Sequence, residues 1–347
     1  MQTETVKGSS AILLIYTGGT IGMVMDPKTG KLKPFSLDNL LKTIPELQKI
    51  DFSIHSTSFK NPIDSSNATP ELWQELCDII SENYRDYHGF VILHGTDTMA
   101  YSASALSFML SGLNKPVIFT GSQLPIGMVR TDGKENLLAA LEIASERDAN
   151  GNPRVPEVGI YFDSFLFRGN RSHKSSTQNF NAFSSPNFPP LAEAGVDIIY
   201  SDRRILPKED KKFKIYREVE QNILVVTLFP GLSNNLLQNA MNSKNLKGVI
   251  LRTFGAGNAP TNSEFLSVLE KLVNRGVAVM NVTQCAHGKV DQLKYETGSS
   301  LQNVGVIGGA DITLEAAITK MMVSLGNFEP EQVFSNLNKS LRGELTE

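Results

Sequence analysis

Four threonines and one aspartate are concentrated in two short glycine-containing segments. Thr17 and Thr20 belong to Thr17-Gly-Gly-Thr-Ile-Gly22, and Thr96, Asp97 and Thr98 to His94-Gly-Thr-Asp-Thr98. A threonine hydroxyl is a poor nucleophile unless a base takes its proton. Neighbouring glycines let the backbone approach a substrate closely and leave N–H groups for a developing oxyanion. The pattern therefore fits hydroxyl-nucleophile chemistry. The same residue types also make tight turns and caps, and spacing alone leaves both readings open.

Other chemistries fit less well. The histidines are His55, His88, His94, His173 and His287, and none stands in HxH or HExxH or beside a cysteine pair, so no metal site is expected. The turn Gly18-Gly19-Thr20-Ile21-Gly22 is not GxGxxG, and Met23–Lys33 does not continue as a helix. No GKS or GKT occurs, so a nucleotide fold is not expected either. Cys77 and Cys285 are too few for a disulfide framework; the plain reading is reduced thiols, with Cys285 a small buried hydrophobe.

The elements that must position these residues follow one pattern. Short apolar runs end in polar, mostly Gly-containing loops: Ala11–Tyr16, Phe90–Leu93, Val117–Phe119, Ile223–Leu228, Val249–Leu251 and Val277–Val282. Continuous apolar runs imply strands buried on both faces, and alternation with helices implies a parallel α/β sheet. In such sheets ligands bind beyond the carboxyl ends of the strands, where these loops lie. One helix is expected from Thr69-Pro70 with an apolar stripe of Leu72, Trp73, Leu76, Ile79 and Ile80. A second starts near Asp132 and buries Leu137, Leu138, Leu141 and Ala144. A third starts near Asp311 and buries Leu314, Ala317, Ile318, Met321 and Leu325.

At about 150 residues per domain, 347 residues suggest two domains. Twelve of the twenty residues from Ser201 to Glu220 are charged, against 20% overall, which marks an exposed linker. The expected division is a larger domain over 1–200, a charged linker over 201–221 and a smaller α/β domain over 222–347. The net charge of −3 gives no general attraction to nucleic acid or anionic membrane. The first apolar run is too short for a signal-peptide core, and the expected location is the cytoplasm.

Taken together, Thr17-Gly-Gly-Thr-Ile-Gly22 and His94-Gly-Thr-Asp-Thr-Met-Ala100 resemble the two signature motifs of the bacterial-type L-asparaginases. Pro62-Ile-Asp-Ser-Ser66, Thr120-Gly-Ser-Gln-Leu-Pro125, Arg168-Gly-Asn-Arg171 with Lys174, Gly255–Pro260, Val306–Asp311 and Leu341–Leu345 extend the likeness along nearly the whole chain. The set is most similar to the type I, cytoplasmic enzymes. The resemblance implies cofactor-free hydrolysis of L-asparagine to L-aspartate and ammonia. Thr20 would attack the side-chain amide and carry the acyl group. Thr96, Asp97 and Lys174 would form a second triad, with Asp97 also taking the substrate's α-amino group. Asp64, Ser65 and Ser66 would hold its α-amino and α-carboxylate groups.

The chain departs from the family at two places. Met23–Pro34 lacks the tyrosine that assists the nucleophile in some members; Lys31 sits near its place, and Tyr295 is the candidate substitute. Some type I enzymes bind asparagine at an allosteric site matching Arg252, His173 and Cys285, where His173 replaces a smaller hydroxyl residue. The resemblance also implies a homodimer or homotetramer. Two other functions compete with hydrolysis: an amino-acid sensor on the same fold, and the amidase component of an amidotransferase.

Overall fold

The computed structural model describes residues 11–25, 32–34, 44–292 and 296–347. The chain divides into two compact units: residues up to Ser185 with Pro189–Ile215, and Pro186–Phe188 with Tyr216–Glu347.

The first unit is built on an eight-stranded sheet. In chain order its strands are β1 (Ala11–Gly18), β2 (Ser53–Ile63), β3 (Gly89–Leu93), β4 (Val117–Thr120), β5 (Val158–Phe162), β6 (Phe165–Arg168), β7 (Ala192–Ala194) and β8 (Ile198–Tyr200). Their order across the sheet is β8-β7-β6-β5-β4-β3-β1-β2. The five strands β1 to β5 are parallel; the apolar runs imply this for β1, β3 and β4, and β3 and β4 are buried along their whole length. From β5 onward the pairing is antiparallel, so the sheet is mixed. Helices α1 (Pro70–Glu82), α2 (Met99–Met109) and α3 (Gly133–Ser145) follow β2, β3 and β4.

Helix α2 is buried on almost every side, and its Ala and Ser side chains let backbone come close. The segment after β6 runs along it, and the Ser104 hydroxyl donates to the Gly169 carbonyl at 3.3 Å. Two of the expected helix starts differ in detail. Asp132 stands at the N-cap position of α3 but turns its carboxylate away, toward Gln123 and Leu124. Thr69 caps no backbone N–H of α1, although Pro70 does open the helix.

The second unit carries a four-stranded parallel sheet in sequence order: β9 (Ile223–Thr227), β10 (Gly248–Thr253), β11 (Ala278–Thr283) and β12 (Ile307–Gly308). Helices α4 (Asn234–Met241), α5 (Ser263–Asn274), α6 (Glu296–Asn303), α7 (Leu314–Asn327) and α8 (Pro330–Leu337) complete it. Leu237, Val249, Leu251, Phe265, Leu269, Leu272, Val279 and Leu301 form one core cluster. Thr313, not Asp311, caps α7, because the Asp311 carboxylate is taken by the backbone and hydroxyl of Thr346. Leu314, Ile318 and Leu325 are only partly buried, whereas Lys320 on the same helix is fully buried against Glu344 at 2.6 Å.

The charged stretch 201–221 does not form one detached linker. Residues 201–215 belong to the first unit and 216–221 to the second. Arg168 donates to the Arg204 carbonyl, and the Leu206 N–H donates to Glu157, which is itself paired with Arg168 at 2.7 Å. Asn114 and Glu209 exchange two further bonds of 2.7 Å. Among the described residues, no helix is long and apolar enough to cross a membrane.

Candidate active site

The loops that leave β1, β2 and β3 lie directly against one another in the first unit. After β1 the chain makes a 3-10 turn, Thr20–Gly22, entered through Gly19 at φ 88°. A Cβ on Gly19 would sit 2.5 Å from the Gly95 nitrogen, so only glycine fits there. A Cβ on Gly95 would in turn sit 2.4 Å from the Ser65 hydroxyl. Close backbone approach thus packs the turns carrying Thr20, Ser65 and Thr96 side by side. Tyr16 supports the first of them: its buried phenol donates to the Gly22 carbonyl at 3.3 Å, and burial pushes its pKa up to about 12.

The four threonines separate into two kinds. Thr17 donates to the Leu93 carbonyl at 3.0 Å, and Thr98 to the Ser65 carbonyl at 2.8 Å. For these two the turn-making reading holds. Thr20 is half-buried, and among the described residues no partner holds its hydroxyl. Thr96 is engaged by side chains, not by backbone. It accepts from Lys174 Nζ at 2.8 Å and donates to Gln123 Oε1 at 3.3 Å.

Lys174 reaches this point along a different route. After β6 the chain turns through Gly169–Arg171 against α2 and enters a short strand at His173–Lys174, paired with Phe183–Ser184. The Lys174 ammonium is largely buried and also meets Asp97 Oδ1 at 2.6 Å, whereas the Asp97 side chain is 59% exposed. Only Oδ1 of Asp97 takes the lysine among the described contacts. In this ion-paired form Lys174 is a donor to Thr96, and the Thr96 proton points toward Gln123.

The Asp64 turn is ready to face a cation. Its Oδ1 accepts from the Ser66 N–H at 2.9 Å and the Ser66 hydroxyl at 2.8 Å. These bonds, the backbone one foremost, hold its carboxyl below the usual aspartate range, so it stays ionised. Ser65 is buried and Ser66 is exposed. Thr20, Asp64, Ser65, Ser66, Thr96, Asp97 and Lys174 all belong to the first unit.

The remaining candidates lie elsewhere. Tyr295 and Lys31 fall outside the described residues. Arg252 is the penultimate residue of β10 in the second unit, with Nη1 3.5 Å from the Thr227 hydroxyl and a buried Nε that has no partner among the described residues. Cys285 is exposed and not a buried hydrophobe, because it follows the end of β11 on an open loop. His173 is exposed in the first unit.

Two supports were not singled out from the sequence. Gln123 is held by its backbone N–H on the Asp132 carboxylate, at 2.9 and 3.1 Å, and by its amide on the Asn179 carbonyl at 3.1 Å. His94 anchors the loop before Thr96. Its Nδ1 lies 2.7 Å from the Gly95 carbonyl, which assigns the proton to Nδ1. Nε2 then accepts from Ser102 at 2.9 Å, and Ser102 accepts from the Trp73 indole at 3.0 Å. Burial drives the His94 pKa down to about 4, so the ring is neutral. The signal for both was their place inside strand-end motifs already rich in polar groups.

Two families of known proteins match the chain. The description "Asparaginase, N-terminal" covers residues 11–206, and "Glutaminase/Asparaginase C-terminal domain" covers 222–336. L-asparaginase 1 of Escherichia coli K12 is 44% identical over 97% of this chain and 98% of its own. The crystal structure of L-asparaginase I from Vibrio cholerae superposes with a TM-score of 0.88 at 42% identity, over 98% of this chain and all of that one. A glutamyl-tRNA(Gln) amidotransferase component from Archaeoglobus fulgidus is 33% identical over 99% of this chain and 81% of its own.

Proposed function

The chain belongs to the asparaginase family, and on that premise we propose that it hydrolyses L-asparagine to L-aspartate and ammonia through an acyl-enzyme on Thr20. The observation that carries this reading is the Lys174–Thr96–Asp97 cluster beside a turn whose Thr20 hydroxyl is not spent on backbone.

In the first half-reaction the Thr20 oxygen adds to the side-chain amide carbon. The C–N bond then breaks, the amide NH2 takes up the proton that Thr20 released and leaves as ammonia, and an aspartyl ester remains on Thr20. In the second half-reaction water adds to that ester, Thr20 recovers its proton, and L-aspartate leaves. Thr96 orients or activates the attacking water, or serves the nucleophile itself. Lys174 supplies positive charge at Thr96 and must first hand a proton on before it can accept one. Asp97 keeps one oxygen for the substrate ammonium, and the ionised Asp64 supports the same group. Ser65 and Ser66 are assigned to the α-carboxylate. Tyr295 remains the candidate for assisting Thr20, and Arg252, Cys285 and His173 the candidates for a second asparagine site.

The degree of likeness favours the hydrolase over an amidotransferase component. Identity is 44% to L-asparaginase 1 and 33% to the amidotransferase protein, and the chain covers more of the former's length. The type I likeness supports a cytoplasmic location. The same likeness supports a homodimer or homotetramer. A fully active monomer in sedimentation would refute that assembly.

The deciding assay is the initial rate of ammonia release from L-asparagine over a wide concentration range, with L-glutamine in parallel. Release from asparagine is the expected result. Asparagine binding in calorimetry without ammonia would establish the sensor instead. A sigmoidal curve would support allosteric activation through the Arg252 and Cys285 region, and a hyperbolic one would support a second site disabled by His173.

A further inference from the structure

The loops entering β3, β4 and β5 lie at the opposite end of the strands from Thr20 and Thr96, and with residues 208–213 they line a cavity of the first unit. Its volume is about 370 Å³, and its lining includes His88, Lys115, Arg147, Lys208 and Lys211. That volume lies within the range of small-molecule sites, roughly 300–1,000 Å³.

Two of these cations are built into the wall. Lys115 Nζ donates to the carbonyls of Tyr84 and Tyr87 and lies 4.7 Å from the centre of the Tyr84 ring. Arg147 donates to the carbonyls of Glu146 and His88, at 2.9 and 3.1 Å. Neither makes a salt bridge to a carboxylate among the described residues; Asp86 and Glu146 act on them only at longer range. The pKa values of Lys115 and His88 are held down by burial and then by the charge of Arg147. His88 Nδ1 accepts from the Ala11 N–H at 3.1 Å, so its second nitrogen carries the donor hydrogen. Lys208 and Lys211 are exposed, on a segment anchored by the Asn114–Glu209 pair and by Phe213 stacked on Tyr84 at 3.9 Å. Glu209 lies 3.8 Å from Lys211 and offers it a counter-charge.

We propose that this cavity binds the phosphate groups of an oligophosphate. The cations come from three separate chain segments, with the neutral His88 ring as a donor from a fourth, so a single carboxylate cannot meet them together, whereas linked phosphates present several charged oxygens at once. Such an anion would relieve the repulsion between Lys115 and Arg147.

The test is calorimetric titration of the full chain with pyrophosphate and tripolyphosphate, against orthophosphate and chloride at matched ionic strength. The expected result is one saturable site per chain that prefers the longer phosphates, with affinity at least tenfold weaker in K208A/K211A. That variant should release ammonia from asparagine at the wild-type rate. ATP is titrated in parallel. Affinity equal to tripolyphosphate assigns recognition to the phosphates of any source, and tighter binding assigns a nucleotide as the source. Binding indistinguishable from chloride, unchanged affinity in K208A/K211A, or competition by excess L-aspartate would each overturn the proposal.

Discussion

Both units end their parallel strands in threonine- and glycine-bearing loops, yet they use those polar groups differently. In the second unit the strand-end groups hold one another. Thr253 donates to Asn281 at 2.6 Å, Thr283 donates to the Gly255 carbonyl at 2.6 Å, and Asn281 donates to the Gly257 carbonyl at 3.0 Å. Gln284 spans the Leu228 and Arg252 carbonyls. In the first unit Thr17 and Thr98 do the same work, but Thr20 is left over and Thr96 is bound by a lysine and an amide. A loop becomes a site when its backbone is satisfied by some residues so that others remain available. Substitutions of the groups left available in the first unit should therefore affect turnover, and those of mutually bonded groups should affect stability.

The largest expected effect is on turnover. Thr20→Ala and Lys174→Met should each lower kcat by about 10³-fold or more, with unfolding free energy changed by less than about 0.5 kcal/mol for Thr20→Ala. Steady-state rates and urea unfolding test both halves. Near wild-type turnover in Thr20→Ala would break the comparison at its centre.

Next comes Lys320 in the second unit. It is fully buried, donates to the Lys339 carbonyl at 2.6 Å and pairs with Glu344, whose carboxylate also takes the Leu341 and Arg342 N–H groups. Lys320→Met leaves a buried carboxylate unpaired, which costs about 3–5 kcal/mol. Urea unfolding should show that loss, while kcat at a temperature where the variant is folded should stay within about twofold of wild type.

His94 gives a pH test within the first unit. Its folded pKa is depressed to about 4, so the unfolded chain binds the proton more readily at acid pH. Stability should fall as pH drops from about 6.5 toward 4, by about 3 kcal/mol from this group, and be unaffected by it above 6.5. His94→Gln should flatten that part of the stability–pH curve; an unchanged slope would remove His94 from the explanation.

The smallest effect is assigned to Gln123. Gln123→Leu removes the acceptor of the Thr96 proton and should reduce kcat by about tenfold with little change in KM. A larger change in KM than in kcat would make Gln123 a substrate contact instead.

Much of this was legible where local chemistry and local structure coincide. The parallel strands show as continuous apolar runs because both their faces are buried, and the reactive threonines sit where those runs stop. The antiparallel half of the sheet was not legible: β7 and β8 are three residues each, and the β5–β6 turn uses Asp163 and Ser164 at positive φ where a glycine would have given a signal. The edge strand β2 is mostly polar, and among the described residues it has a sheet neighbour on one side only. Lys174 has no local signature, since its partners lie 77 and 78 residues earlier, and only the family resemblance singled it out. Lys320 was hidden for the same reason: its meaning depends on Glu344 closing over it from the chain end.

The central claim is a covalent intermediate on Thr20, and the most direct test is mass spectrometry of enzyme acid-quenched during turnover of L-asparagine. Wild type should carry one added aspartyl group on the peptide containing Thr20, Thr96→Val should accumulate more of it, and Thr20→Ala should carry none. An aspartyl group found on Thr96, or ammonia released at the wild-type rate by Thr20→Ala without any adduct, would contradict the account.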